Sequence, residues 1–125
     1  MGLHIYKVIA LALLAPMSAF AQWTPEQKTI AAVAVAATLV DYGQTRWIAV
    51  NCPSRSNSCY ETNPVLGRRP SLSRVNEYFS ITPVIGYFVT DALPSEWRTR
   101  FLYSFTSVEI VITQRNYKLG YGINF

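Results

Sequence analysis

The chain has 125 residues, half of them hydrophobic, with 11 Lys/Arg against 7 Asp/Glu and a net charge of +4. This is one domain's length, and its scattered cations, paired only at Arg68-Arg69, do not form the basic stripe that nucleic acid requires. The single histidine, His4, lies in the leader described next, which excludes His-based triads, His-ligated zinc and the usual neutral-pH general base from the rest of the chain.

Met1–Lys7 carries one cation, Val8 to Met17 is apolar apart from Pro16, and Ala19 and Ala21 supply small residues at a cleavage site. This order of charge, apolar run and A-x-A site is the secretory pattern, so residues 1–21 read as a signal peptide and Gln22 as the start of the mature chain. An uncleaved anchor helix is the alternative. No cysteine follows the small residues, so a lipid anchor is not expected at this junction. The mature chain of 104 residues keeps a net charge of +3.

Thr24-Pro25-Glu26-Gln27 is a helix start: Thr24 caps, Pro25 suits the first helical position, and Gln27 completes a capping box. An uncharged Ala/Val-rich stretch follows from Thr29 to Val40, and one helix is predicted over 25–50. At ~1.5 Å per residue it reaches nearly 40 Å. Ala32 and Ala36 form a small-xxx-small pair that lets another helix approach. Residues 51–70, with Pro53, Pro64, Gly67 and Pro70, are predicted to be a loop centred on the Glu61-Thr62-Asn63-Pro64 turn.

Ser71 is positioned to cap a second helix, over 71–93, with a kink expected near Pro83. Ser95 is positioned to cap a third, over 95–118, with Glu96 in the first turn and Arg115 and Lys118 in the last, as the helix dipole favours. Gly120 closes it. The fold class read from these elements is all-α, a single domain of three helices over 22–125. In the tail, Tyr117, Leu119, Tyr121, Ile123 and Phe125 alternate, which resembles the last strand of an outer-membrane barrel. The helical segments leave too little chain for eight strands, so a short extended tail packing on the bundle is expected instead.

Three apolar helices suit either a membrane bundle or a small periplasmic one. With the N-terminus exported, three spans place Arg46, Arg55, Arg68, Arg69, Arg74, Arg115 and Lys118 inside and Lys28, Arg98 and Arg100 outside, as the positive-inside rule expects. Trp23, Trp47, Trp97 and Tyr117 near the helix ends suit an interfacial belt. The expectation is therefore a membrane-embedded bundle in the bacterial inner membrane, with the periplasm as the alternative.

Thr38, Asp41 and Thr45 share one helical face, and Thr106, Glu109, Thr113 and Asn116 share another. Asn76, Ser80 and Tyr87 form a weaker stripe on the second helix. Acids inside a bilayer suggest proton, cation or substrate contact; the alternative is that Asp41 and Glu109 pair with Arg46, Arg115 or local donors. Glu61 could join Asp41 as a carboxylate pair, or serve only the turn. The candidate polar site is thus Asp41, Thr45, Glu61, Asn63 and Glu109. Cys52 and Cys59 could form a disulfide in an oxidising compartment, whereas the three-span topology places them in the cytoplasm as free thiols. Their spacing supports neither a redox motif nor a zinc site; no cofactor or metal is expected.

The series Asp41…Thr45, Glu61-x-Asn63-Pro64-x-Leu66-Gly67-x-x-Pro70-Ser71, Asn76 and Phe79 resembles small uncharacterised multi-helix membrane proteins of bacteria and phages. The resemblance implies helical membrane architecture and a shared polar site at Asp41, Glu61 and Asn63, and no reaction. Cys52 and Cys59 stand outside the pattern. Three functions are weighed: a membrane interaction or structural protein of the bacterial envelope, phage-encoded in one version; a membrane carrier or enzyme using intramembrane carboxylates; and a soluble periplasmic binding module with a Cys52–Cys59 disulfide. The first is preferred, with the lipid bilayer and a helix-packing partner or second copy as partners, no nucleic acid, and no enzymatic activity assigned.

Overall fold

A computed structural model describes residues 22–53 and 57–125. The signal-peptide reading of 1–21 and the cation Arg55 therefore lie outside the described residues. Three helices are present, α1 (Pro25–Asn51), α2 (Leu72–Ala92) and α3 (Ser95–Lys118), with no strand among the described residues. Each predicted boundary holds to within a residue.

Local chemistry sets the helix ends. The Thr24 side chain accepts from the Gln27 backbone N–H while Gln27 Oε1 accepts from Thr24 N–H, which completes the capping box. The Ser71 hydroxyl accepts from Arg74 N–H. At α3 the cap differs from expectation: Pro94 occupies the N-cap, with no side-chain bond, and Ser95 is already helical. Pro94 fixes its own φ and brings no N–H, so it turns the chain sharply out of α2 without leaving a donor unpaired. α2 continues through Pro83 as one helix. Gly120, at φ +80°, ends α3 in the left-handed conformation that glycine adopts most readily.

α1 packs chiefly on α3, and the two run parallel. Gln27 near the start of α1 meets Ser95 and Thr99 at the start of α3, and Gln44 further along meets Thr113 and Asn116. α2 returns antiparallel and packs less extensively on both. The apolar core is small and split. Trp23, Ile30 and Leu102 form one cluster, with Ala31 and Tyr87 against it. Ile48, Leu66, Val75 and Tyr121 are buried toward the opposite end.

Polar residues take up much of the remaining interior. Gln27, Asp41, Gln44, Thr45, Glu61, Thr90, Arg98, Thr106 and Asn116 are all buried, while Val35, Leu39, Ile85, Phe88, Val108 and Val111 are among many exposed large apolar side chains. Ala32 and Ala36 also face outward, whereas Ala34 is buried and Ala31 half-buried. The helix packing within the bundle therefore uses the other alanine face.

One sequence expectation is corrected. No described helix is long and apolar enough to cross a membrane. The three-span arrangement therefore does not follow from these helices. Of the two states open to Cys52 and Cys59, the structure shows the disulfide. The bond closes the loop immediately after α1, and such a bond persists in an oxidising compartment.

The C-terminal segment is an extended tail laid against the second half of α1. Asn124 N–H donates to Gly43 O, Arg46 Nε donates to Asn124 O, and Tyr121 stacks on Trp47. The Tyr121 hydroxyl donates to Ser58 O and accepts from Tyr60 N–H, tying tail to loop. Gly43 permits this approach: a Cβ there would lie 2.5 Å from Ile123 Cγ2 and 3.1 Å from the Phe125 ring.

Arg98 closes the other end. Its guanidinium donates to the carbonyls of Thr90, Asp91 and Leu93, the last turn of α2, and stands over the Trp23 ring. Arg98→Met removes every one of these donors and strips the partly buried carbonyls of Asp91 and Leu93 of their guanidinium partner, while Thr90 O keeps its bond from Leu93 N–H. It is expected to lower unfolding free energy by about 3 kcal/mol, measured by denaturant unfolding, whereas Arg100→Met, on the surface, is expected to change it by less than about 0.5 kcal/mol.

Candidate functional site

The middle of α1 and α3 and the loop after α1 converge on a buried polar cluster. Asp41, Gln44, Thr45 and Ile48 recur at spacings of three and four, so one face of α1 carries all of them inward. On α3, Thr106, Glu109, Thr113 and Asn116 form the facing stripe. Thr106 and Asn116 are buried, and Glu109 and Thr113 are partly so. Gln44 holds the two stripes in register: its Nε2 donates to Thr113 O at 3.1 Å, and its Oε1 accepts from Asn116 Nδ2 at 3.2 Å.

Glu61 enters from the loop and is only 6 % exposed. Its Oε2 accepts from the Thr45 hydroxyl at 3.0 Å, and its Oε1 accepts from the backbone N–H groups of Thr62 and Asn63, each at 2.8 Å. Three donors therefore satisfy this carboxylate without a cation. Asp41, 8 % exposed, also hydrogen-bonds Thr45 and lies within electrostatic reach of Glu61 and Glu109. Its carboxyl is pushed up to about 7 by burial first, then by the negative charges of Glu109 and Glu61, with the Thr45 bond opposing. Burial also pushes Glu109 upward. Glu109 Oε2 and Thr106 Oγ1 are buried without a hydrogen-bond partner.

Of the five expected site residues, Asp41, Thr45, Glu61 and Glu109 come together. Asn63 does not extend the site. Its Oδ1 accepts from Val65 N–H and its carbonyl accepts from Leu66 and Gly67 N–H, so it builds the turn that presents Glu61. The expectation that the acids pair with Arg46 or Arg115 is corrected for Arg46. That guanidinium donates to Asn76 Oδ1 at 2.6 Å and to Asn124 O, and lies near Tyr42. Arg115 is exposed on the last turn of α3. Among the described residues Arg100 and Glu96 form an ion pair on the surface.

Sequence reasoning passed over Gln44 and Arg98. Gln44 continues the Thr38–Asp41–Thr45 face at helical spacing, a signal that could have identified it. Nothing local distinguishes Arg98 from the exposed Arg100 two residues on, because its role depends on where α2 ends.

The arrangement suits proton exchange better than metal binding. Among the described residues no group of three or more His, Cys, Asp or Glu side chains is placed to hold a metal ion. The buried side-chain atoms without a partner among the described residues are the oxygens Thr106 Oγ1 and Glu109 Oε2. No protein-family model, curated protein or solved structure matches the chain, so the site is read from its own geometry.

A carboxyl held above its ordinary range stabilises the fold while protonated, and that contribution is lost as pH rises. Unfolding free energy should therefore fall between about pH 4 and about pH 7, by roughly 4 kcal/mol, and flatten above. Asp41→Asn, which stays neutral, should remove most of this slope. Denaturant unfolding across the pH series checks both.

Proposed function

We propose that this is an exported interaction protein of the bacterial envelope, whose bundle beds into a lipid bilayer from the oxidising side without crossing it. The observation that carries this reading is the reversal of the usual burial pattern. Polar side chains fill much of the interior, while Ile81, Ile85, Phe88 and Val89 on α2 and Phe105, Val108 and Val111 on α3 are exposed.

An apolar exterior of this extent is rare in a monomeric domain surrounded by water and marks a contact surface. Lipid is the partner the pattern suits, because the exposed residues are aliphatic and aromatic along much of both helices and charges concentrate near the helix ends. Glu96, Arg98 and Arg100 stand at the start of α3, and Arg74 and Glu77 at the start of α2. Trp97, exposed beside Arg100, has the amphipathic ring that lodges at a headgroup boundary.

Bedding without crossing reconciles this surface with two other features. No described helix is long and apolar enough to cross a membrane, and the Cys52–Cys59 bond belongs on the oxidising side. A three-span arrangement following an exported N-terminus would place that loop in the reducing cytoplasm. The leader-like residues 1–21 supply the export route. The resemblance to small bacterial and phage membrane proteins agrees with lipid contact and adds no activity.

The full chain expressed in a bacterium should fractionate with membranes, resist a high-salt wash and be released by detergent. Ser substitutions at Ile85, Phe88, Val108 and Val111 together should raise the soluble periplasmic fraction at least about tenfold, since each apolar side chain withdrawn from lipid contact weakens binding by up to about 1.5–3 kcal/mol. Wild-type protein recovered in the soluble extract overturns the lipid reading. Crossing is tested separately. With the native cysteines bonded, S73C and S95C each add one free thiol, the first at the start of α2 and the second at the start of α3, just beyond the other end of α2. Both should react with an impermeant maleimide in intact cells, and labelling at one end alone means the bundle crosses.

A further inference from the structure

Two features of the interior leave oxygen atoms in excess of protons. Thr45 has one hydroxyl proton, and two carboxyl groups lie against it. That proton is donated to Glu61 Oε2 at 3.0 Å. Asp41, one turn earlier on the same face, also bonds Thr45. If Asp41 is ionised, both carboxylates compete for a single proton. If Asp41 is protonated, that competition ends and Thr45 keeps its bond to Glu61.

The second feature is independent of the first. Glu109 Oε2 and Thr106 Oγ1 are both buried without a partner, and Thr106 is only 7 % exposed. They stand three residues apart on α3, so their side chains are neighbours on the stripe that faces Asp41. Thr106 carries its own hydroxyl proton but does not donate it to Glu109, so Glu109 Oε2 is a buried carboxyl oxygen without a hydrogen bond, a setting that disfavours the charged form.

We propose that the polar cluster between α1, α3 and the 60–67 loop is a proton-binding site. Asp41 and Glu109 are its protonatable groups, and Thr45 and Glu61, bonded to each other, complete it. The proton comes from solvent and forms an O–H bond to a carboxyl oxygen, with no bond broken within the protein.

The surrounding charges leave the proton as the neutralising agent. On α1, Arg46 points to Asn76 and Asn124. On α2, Glu77 is exposed. The loop contributes Glu61. Its Arg68 stands over the Tyr60 ring, and its Arg69 donates to Pro53 O. On α3 the charged neighbour is Glu109, and the described tail residues 119–125 carry no charged side chain. The raised carboxyl of Asp41 agrees with this accounting. The proposal concerns the interior alone and does not depend on what covers the exterior.

The test is modification by dicyclohexylcarbodiimide, an apolar reagent that attacks protonated carboxyls and spares ionised ones. The full-length protein in detergent or lipid vesicles is treated at a series of pH values, and adducts are mapped by peptide mass spectrometry. Adducts at Asp41 or Glu109 should exceed those at exposed Glu77 at least about tenfold near neutral pH, and should fade as pH rises. E109Q removes a neighbouring negative charge and should move the Asp41 profile to lower pH. T45V, which removes the hydroxyl that opposes protonation of Asp41, should move it higher. No adduct above the Glu77 level at any pH overturns the proposal, as does a profile indifferent to pH or unmoved by E109Q. Because the wild-type profile is decisive, misfolding of a variant does not shelter the proposal. Flotation of the same vesicle sample reports lipid binding separately. Modification without flotation leaves the proton site standing and the lipid reading overturned; flotation without modification does the reverse.

Discussion

Two buried amides determine how this bundle is assembled. Gln27 and Gln44 stand seventeen positions apart on α1 and each engages α3, one at Ser95 and Thr99 and the other at Thr113 and Asn116. An amide in an apolar interior must find its partners or forgo the solvation it had in water. Sliding or rotating α1 against α3 would strand both at once, so the two contacts fix translation and rotation together. Ala31 and Ala34 on the intervening face of α1 let the helices approach between them. Leu102 closes against Ile30 in the same stretch. The parallel α1–α3 pair is therefore specified by hydrogen bonding, with apolar packing filling in around it.

This choice of interior has a consequence for the exterior. A domain of about a hundred residues already buries a modest share of its surface, and here polar groups occupy much of what is buried. Large apolar side chains are left on the outside of every helix, among them Val35 and Leu39 on α1, Ile85 and Phe88 on α2, and Val108 and Val111 on α3. Averaged around a helix, polar and apolar faces dilute one another, so no single helix has the apolar character of a span although the assembled surface is strongly apolar. The disulfide and the tail restrain the chain where the core is thinnest. Cys52–Cys59 closes the loop, Tyr121 joins the loop to the tail, and Trp47 stacks on Tyr121. A bundle organised this way gains from surroundings that accept its outer faces.

The helices were legible because their ends are written in local chemistry. The Thr24-Pro25-x-Gln27 box, Ser71 and Gly120 each act within a turn of their own position. The Asp41, Thr45 and Glu109 faces were legible for the same reason: helical spacing alone puts them on common stripes. Their convergence with Glu61 was only conjectured, because it depends on the 60–67 turn, where Asn63 bonds Val65, Leu66 and Gly67 and thereby aims Glu61 inward. The α3 cap misled because Ser95 has the right side chain, while Pro94 controls the backbone. Charged residues misled most. A sequence shows that an arginine is present but does not show whether its guanidinium faces solvent or a carbonyl.

That last point bears on the orientation inferred from charge. Counting cations by loop assumes that each is free to interact with the membrane and its potential. Arg46 instead spans α1, α2 and the tail through Asn76 and Asn124. Arg68 lies over Tyr60, Arg69 is bound to Pro53 O, and Arg74 donates to Val65 O. On the opposite side of the count, Arg98 is buried beneath the end of α2. Much of the apparent bias is therefore made of side chains that hold the loop and helix ends together. Cations already engaged in this way explain why the loop is basic without requiring it to face the cytoplasm. The disulfide binds the same loop covalently, so the loop's shape rests on that bond and on these arginine contacts together.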